Sequence, residues 1–321
     1  MPQARPRRLL REFVLQDVLA LIYSGFLLGA SLQGSGPRRV HCIVHTGLAW
    51  LVVLGSILLV RGRVVRRRAV AWAIYQVGIF TAVLGSYFRL RDVLPTTTDR
   101  RLDELLYQAD LALFGFEPTL WLDAFVTPAT TAWFAFFYWS YFVYLAVHIA
   151  PILLSRDRRL AGEFSLGLVG VYCIAQLGYF FLPGYGPYHH LAHLYVNPLP
   201  HSFFLDIVDE AVRTSGALLD IFPSLHTAGP LYIALFSFLN RDRRVFRYTW
   251  PVAMFCSVNI IGATLFLRWH YLVDVVVGIA LAAAWAWLAR PLHARDEARR
   301  RRTGAVTEGW PLLRPARPPR D

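Results

Sequence analysis

The sequence predicts an all-α membrane protein with about eight transmembrane helices. Of its 321 residues, 56% are apolar and only 17% are charged, which is too apolar for an ordinary soluble domain. A helix of about 20 apolar residues is long enough to cross the hydrocarbon core of a bilayer. Apolar stretches that approach or reach this length occur at 13–33, 40–60, 69–88, 130–154, 162–183, 224–239, 248–267 and 270–289.

The distribution of charge predicts the orientation of these spans. All 33 basic residues are arginines, and most lie beside the span ends that share a side with the N-terminus. Because arginine is enriched on the cytoplasmic side of membrane proteins, we expect both termini in the cytoplasm. The formal charge of +12 then follows from topology, so no nucleic-acid partner is needed to explain it. The absence of lysine favours a GC-rich bacterial genome and hence the inner (plasma) membrane.

Two long segments between spans are expected on the extracytoplasmic side. Segment 91–128 mixes apolar and acidic residues in a pattern typical of helices lying in the membrane interface, with a break expected near Gly115 and Pro118. Segment 184–222 is dense in turn-forming and aromatic residues and is a candidate lid or collar. Residues 291–321 are expected to form a disordered basic cytoplasmic tail. The first span is full length and lacks a cleavage pattern, so we expect it to stay in the membrane.

Three polar clusters from different parts of the chain are predicted to converge at the extracytoplasmic face. They lie at residues 183–190, 223–226 and 268–274. His270 and Asp274 are four residues apart, so on a helix they share a face. A carboxylate bound to one imidazole nitrogen leaves the other nitrogen free as a nucleophile. A polar pair that merely ties helices together is the alternative for these two residues alone.

His226 follows a proline and a serine at a predicted helix start, where free backbone N–H groups favour an anion. A phosphate there would be held by the backbone and the Ser224 hydroxyl, while His226 protonates a departing alkoxide as general acid. Taken singly, His226 is also explained as a hydrogen-bonded interface histidine. Its convergence with the His270 pair favours a catalytic site.

These residues resemble the signatures of a known family. Residues 222–226, Phe-Pro-Ser-Leu-His, are similar to the second signature of the phosphatidic acid phosphatase type 2 superfamily, Pro-Ser-Gly-His, with Leu225 in the glycine position. Residues 270–274 resemble the third signature, which ends in His-x-x-x-Asp. The leucine form, together with residues 110–118, is similar to the branch that includes inositol phosphorylceramide synthases and many bacterial relatives.

The resemblance implies a six-helix core and a phosphohistidine mechanism. The core corresponds to residues 69–290, which leaves two transmembrane helices in residues 1–68 as an N-terminal addition. His270 would be the nucleophile, Asp274 would orient it, and His226 would protonate the leaving group. No cofactor is expected.

Two arginines that bind phosphate in the superfamily are missing here. Gly186 and Pro187 are followed by tyrosine where relatives often have arginine, and the Ser-Arg of the third signature corresponds to residues 263–264, Ala-Thr. Arg268 is the nearest guanidinium and suits bidentate contact with phosphate, although snorkelling to lipid headgroups is the alternative. The residues predicted to bind phosphate instead are Ser224, Arg268, Tyr188, His189 and His190.

The histidines of segment 184–222 are not predicted to bind a metal. His189, His190, His193 and His201 have no Cys, Asp or Glu among them that would complete a familiar ligand spacing. Hydrogen bonding within the loop is the simpler role.

Two enzymatic functions follow from these residues, and a third, non-enzymatic one competes with them. Attack of water on the phosphohistidine makes the protein a lipid-phosphate phosphatase, whereas attack of an alcohol makes it a headgroup transferase similar to inositol phosphorylceramide synthases. A transporter would need ionisable residues near the bilayer midplane and an internal repeat, neither of which is evident. The expected partners are membrane lipids, with a lipid phosphate or phospholipid as substrate. The sequence does not indicate an oligomeric state.

Overall fold

The computed structural model describes residues 9–215 and 218–315, and regular secondary structure in these ranges is entirely helical. Seven helices are long and apolar enough to cross a membrane by length and composition, and an eighth apolar helix, Leu225–Leu239, is shorter. The all-α prediction is confirmed. In chain order the helices are α1 (Leu15–Gln33), α2 (Arg39–Arg61), α3 (Arg68–Thr97), α4 (Asp103–Phe114), α5 (Pro118–Leu122), α6 (Pro128–Leu153), α7 (Arg158–Phe181), α8 (Pro187–His190), α9 (Phe203–Ser215), α10 (Leu225–Leu239), α11 (Arg244–Phe266) and α12 (Leu272–Thr303).

Each of the eight predicted apolar stretches coincides with one of these helices, but two helices run further than expected. Helix α3 does not end at residue 88 but continues to Thr97, through a π-helical turn at Thr81–Gly85. Helix α12 continues past residue 289 to Thr303. The first residues of the predicted segment 91–128 therefore belong to the end of α3.

Helix α7 is the centre of the bundle. In the most apolar 18-residue stretch of α7, 67% of the stretch is buried inside the protein. In the other six candidate spans the corresponding share is 39% or less. Two glycines of α7 allow its neighbours to approach closely, as small residues commonly do between membrane helices. A Cβ atom on Gly167 would lie 2.2 Å from the Tyr232 hydroxyl of α10, and one on Gly170 would lie 2.3 Å from the Trp285 ring of α12.

Helices α1 and α3 are joined to α7 by buried hydrogen bonds. Gln176 of α7 accepts from the Tyr23 hydroxyl of α1 (2.5 Å) and from the Ser86 hydroxyl of α3 (2.9 Å). Its amide donates to the backbone carbonyl of Val83 (2.8 Å). Because unsatisfied polar groups are costly in an apolar surrounding, these bonds fix how α1, α3 and α7 pack together.

The tail prediction is wrong for residues 291–315. These residues continue α12 and then pack back against the start of the chain, with Trp310 only 1% exposed. The Arg61 guanidinium donates to the carbonyl of Gly309 (2.9 Å), and the Glu12 carboxylate accepts from the backbone N–H of Thr307 (2.9 Å). Both partners lie far from the tail in sequence, so composition alone gave no sign of this packing. Residues 316–321 lie outside the described part of the chain.

One end of the bundle, where α10 and α12 begin, is tied together by backbone hydrogen bonds between loops. The backbone N–H of Ser35 donates to the carbonyl of Thr96 (2.8 Å). This bond joins the α1–α2 connection to the end of α3. Tyr188 donates to the carbonyl of Arg268 (2.7 Å), and Ser224 donates to that of Asp274 (3.1 Å). We call this end the site end, because the three predicted polar clusters meet there.

Candidate active site

His226 occupies the first turn of α10 and is held between two tyrosines of α6. Its ring centroid lies 4.5 Å from that of Tyr138, in a stacked arrangement, and 4.3 Å from that of Tyr141. The turn itself is fixed by Ser224, whose hydroxyl accepts a hydrogen bond from the backbone N–H of Thr227 (3.3 Å). These contacts place the imidazole at the wall of a cavity.

His270 lies in the connection between α11 and α12, with 4% of its surface exposed. Its Nδ1 is 3.4 Å from Oδ2 of Asp274, whose side chain is completely buried. The same Oδ2 accepts a hydrogen bond from the backbone N–H of Tyr271 (3.0 Å). The predicted pair is therefore brought together, but by a turn: His270 precedes α12, and Asp274 caps its first turn instead of sharing a helix face with it.

The second carboxylate oxygen of Asp274, Oδ1, has no hydrogen-bond partner within residues 9–215 and 218–315. Buried polar atoms without a partner are rare and frequently mark functional sites. The Nδ1–Oδ2 separation of 3.4 Å is also longer than a good N–H···O hydrogen bond. The pair is loose, as acid–base pairs often are before substrate binds.

His226 and His270 both line a cavity of about 380 Å³, with 6.4 Å between their ring centroids. The walls are mostly aromatic and aliphatic, which is usual for small-molecule sites. Apolar side chains of the amphipathic helix α9, which lies within segment 184–222, form one wall. The aromatic residues of the lining are Tyr87, Phe88, Tyr138, Trp139, Phe142, Tyr185, Tyr188 and Trp269.

Asp220 lines the same cavity and was missed in the sequence. Burial lowers the pKa of His270 to about 4, and the Asp220 carboxylate and a backbone contact with Ile221 act in the opposite direction. Burial also raises the pKa of Asp220, while a hydrogen bond from Tyr87 lowers it. His270 is thus a neutral imidazole at neutral pH, which is the form that a nucleophile requires. A single acid between apolar residues just before the 222–226 motif was the available signal.

Arg268 does not reach the cavity. Its guanidinium donates to the Asp123 carboxylate (2.7 Å) and to the carbonyl of Asn197 (2.5 Å), and it lies 3.8 Å from the centre of the Tyr195 ring. Its side chain is 11% exposed. These contacts occupy the guanidinium, so neither the predicted phosphate contact nor snorkelling to headgroups fits this position.

Of the other four residues predicted to bind phosphate, Tyr188 alone lines the cavity. Burial raises the pKa of Tyr188, which keeps its phenol neutral and able to donate. The Ser224 hydroxyl is fully buried against Thr227. His189 packs on the Tyr185 ring at 4.5 Å, and His190 pairs with Glu104 at the surface. The residues predicted to bind phosphate therefore do not gather around one site.

Three buried carboxylates of segment 91–128 hold the site end in place. Asp103 accepts from the backbone N–H groups of residues 185 and 186 (3.0 and 2.8 Å). Asp110 accepts from those of residues 272 and 273 (2.7 Å each), and so caps the start of α12. Asp123 accepts from those of residues 196 and 197 (3.0 and 3.2 Å). The acidic side of this segment faces the protein, while large apolar residues such as Leu113 face outward.

A match to a protein-family model identifies the family of this chain. A model described as the PAP2 superfamily matches residues 105–288, more than half of the chain. The chain belongs to the PAP2 superfamily. Neither a curated protein nor a solved structure matches it.

The PAP2 match begins within α4 and ends within α12. It includes His226, His270 and Asp274, and it leaves α1, α2 and α3 outside. PAP2 superfamily membership indicates a phosphatase or phosphotransferase kind of function, and the apolar helices indicate a multi-pass membrane protein that acts on membrane lipids.

Proposed function

We propose that the protein transfers a phosphate-bearing group of a membrane lipid through a phosphohistidine at His270. The observation that carries this proposal is that His226 and His270 line the same cavity as neighbours, with Asp274 beside only one of them. Reacting atoms must approach to about 3–3.5 Å before bond formation. With 6.4 Å between their ring centroids, both imidazoles are close enough to contact the same phosphoryl group bound in the cavity.

In the first step, Nε2 of His270 attacks the phosphorus atom and the bond from phosphorus to the lipid oxygen breaks. Asp274 lies beside Nδ1, so it holds the proton on that nitrogen and leaves the lone pair of Nε2 directed at the phosphate. His226 gives its proton to the departing oxygen. The products are a phosphohistidine and a lipid alcohol.

In the second step, water or an alcohol attacks the phosphohistidine and the phosphorus–nitrogen bond breaks. His226, now neutral, accepts the proton of the attacking hydroxyl and returns to its starting form. With water the product is a phosphate, and the enzyme is a phosphatase. With an alcohol the product is a new phosphate ester, and the enzyme is a phosphotransferase.

The charge of the cavity favours a substrate with few negative charges. No arginine is present among the described residues that line it, and Asp220 adds a carboxylate beside the two histidines. A phosphate monoester carries up to two negative charges at neutral pH, whereas a phosphodiester carries one. This balance supports a second candidate, a headgroup transferase similar to inositol phosphorylceramide synthases that cleaves a phosphodiester lipid.

We place this site on the extracytoplasmic face, and both termini in the cytoplasm of a bacterium. The described arginine clusters, Arg61–Arg68, Arg156–Arg159, Arg241–Arg247 and Arg299–Arg302, lie at the end of the bundle opposite the site end. Arginine-rich loops stay on the cytoplasmic side during membrane insertion.

The deciding experiment incubates purified protein with phosphate-labelled phosphatidate and with a labelled phosphodiester lipid, each with and without an alcohol acceptor such as inositol or ceramide. Label released as inorganic phosphate, or as the free phosphorylated headgroup of the diester, indicates hydrolysis, and label that moves to the acceptor alcohol indicates transfer. His270→Ala and Asp274→Asn are expected to abolish both reactions.

The matched control is His201→Asn, because His201 lies in the same loop region and its side chain is 98% exposed. This variant is expected to keep wild-type activity. Full activity of a well-folded His270→Ala protein on every substrate would refute the proposed function.

A further inference from the structure

A second cavity, of about 320 Å³, lies at the site end between α2 and α3. Phe88 lines both this cavity and the one that holds His226 and His270. The two spaces are therefore neighbours separated by one aromatic side chain. Neither α2 nor α3 belongs to the part of the chain that matches the family.

The polar side chains of this second cavity come from two facing helix surfaces. His41 and His45 are four residues apart on α2, so they share a face, and their ring centroids are 4.1 Å apart. Arg89 and Asp92 are three residues apart on α3 and share a face in the same way. All four line the cavity.

The charges in this cavity do not balance. The Asp92 carboxylate is paired with Arg38, with 2.5 Å between the guanidinium nitrogen and the carboxylate oxygen. Arg89 has no acidic partner within 4 Å among the described residues, and its Nε is buried without a hydrogen-bond partner there. A half-buried guanidinium without a counter-ion is a ready binding site for an anion.

The backbone of α3 is shaped to hold this guanidinium. The π-helical turn Thr81–Gly85 precedes Arg89, and such turns interrupt the regular hydrogen bonding of a helix, often at functional sites. The carbonyl of Gly85 accepts a hydrogen bond from Arg89. A Cβ on residue 85 would lie 3.3 Å from the guanidinium, so glycine leaves the space that this contact uses.

We infer that this second cavity binds the phosphate group of an anionic ligand, either a lipid headgroup or free phosphate. Arg89 supplies the positive charge, and its planar fork suits two phosphate oxygens. His41 and His45 supply further donors from the facing helix. A lipid bound here lies beside the reacting cavity with Phe88 between them.

The test measures binding of phosphatidate by native mass spectrometry and by titration in nanodiscs of neutral phosphatidylcholine. His270→Ala protein is used throughout so that the lipid is not consumed. Arg89→Gln is expected to weaken binding at one site about tenfold or to remove one tightly bound lipid per protein. The control is Arg91→Gln on the same helix, where an exposed arginine is replaced, and it is expected to bind as the parent does.

Competition distinguishes the two sources of phosphate. If millimolar inorganic phosphate displaces the lipid from the Arg89 site, free phosphate is a ligand of that site. If it does not, the site requires a lipid. Equal binding by the Arg89→Gln and Arg91→Gln proteins would overturn the inference.

A second variant keeps the test decisive if Arg89→Gln fails to fold. The His41→Asn, His45→Asn double substitution changes two exposed side chains and is expected to weaken the same binding event. Unchanged binding in this double variant would overturn the inference as stated. Because no step of this test requires turnover, its result is independent of whether His270 forms a phosphohistidine.

Discussion

The Arg268 guanidinium is paired with the Asp123 carboxylate at 2.7 Å, and neither side chain lines the cavity between His226 and His270. Arg268 directly precedes the Trp269–His270 connection, and Asp123 lies at the end of α5. The pair therefore fastens the loop that carries His270, the proposed nucleophile, to segment 91–128. We expect Arg268 to influence catalysis through the position of His270.

Removing one partner of this pair is expected to destabilise the protein. In Arg268→Gln the Asp123 carboxylate stays buried without its counter-charge, which costs about 3 kcal/mol. We expect a lower thermal midpoint and a reduced kcat with little change in KM, because Arg268 does not line the cavity. Thermal unfolding and steady-state kinetics in detergent measure the two effects.

The double variant Arg268→Gln, Asp123→Asn supplies the matched control. It removes both charges, so part of the lost stability should return. If Arg268 instead bound phosphate directly, Arg268→Gln would raise KM sharply while Asp123→Asn alone would have little effect on stability.

Asp220→Asn is expected to shift the acid limb of the pH–rate profile toward lower pH. His270 must be neutral to attack, and its pKa of about 4 is held up partly by the Asp220 charge. Neutralising Asp220 lowers the pKa of His270 further, so the neutral form persists to lower pH. KM for a monoester should also fall, since a repelling charge is gone. Asp206→Asn, at an exposed position on α9, should leave the profile unchanged; an Asp220→Asn profile identical to wild type would contradict this role.

Gly186→Ala is expected to disturb the loop that carries His270. Gly186 has φ +96°, and a Cβ there would lie 2.5 Å from the carbonyl oxygen of Trp269. Gly115→Ala is the comparison, because Gly115 also has a positive φ but has nothing within 4 Å of an added Cβ. Gly115→Ala should cost about 1 kcal/mol from backbone strain alone. Gly186→Ala should cost more and also reduce activity; equal stability and activity of the two variants would show that the contact with Trp269 is unimportant.

Glu117 makes stability depend on pH. Burial raises the pKa of Glu117 from 4.5 to about 7, opposed by the Thr119 bonds and helped by the neighbouring Asp110 carboxylate. A carboxyl whose folded pKa is raised stabilises the fold below its unfolded pKa and loses this contribution as pH rises through the folded value. Stability should therefore fall by on the order of 3 kcal/mol between about pH 4.5 and about pH 7.

Thermal midpoints of wild type and Glu117→Gln, compared across this pH range, measure the effect. The glutamine resembles the protonated carboxyl, so the difference between the two proteins should grow in favour of Glu117→Gln as pH rises. A difference that is constant with pH would show that Glu117 is ionised throughout.

The sequence predicted the apolar spans and the trio His226, His270 and Asp274 because both signals are local. Helix spans follow from runs of apolar residues, and the trio lies in two short motifs with fixed spacing. The ion pair of Arg268 was not predictable, because its partner Asp123 is distant in sequence and becomes a neighbour only through folding.

Other features also required the fold. Asp220 lies between apolar residues in the sequence, and its proximity to His270 arises only in the folded structure. The tail has the composition of a disordered segment, yet Trp310 packs on Tyr75 and Arg61 binds the Gly309 carbonyl. In each case a long-range contact overrode the local pattern.

The most direct test of the central proposal is to trap the phosphorylated enzyme. Protein is mixed with lipid labelled in its phosphate group and quenched within milliseconds, and the attached label is located by peptide mass spectrometry. We expect label on the peptide that contains His270, stable to base and lost in acid as phosphohistidine is, and none in His270→Ala. Turnover of the labelled lipid by His270→Ala, or label on any other residue, would contradict the assignment of His270 as the nucleophile.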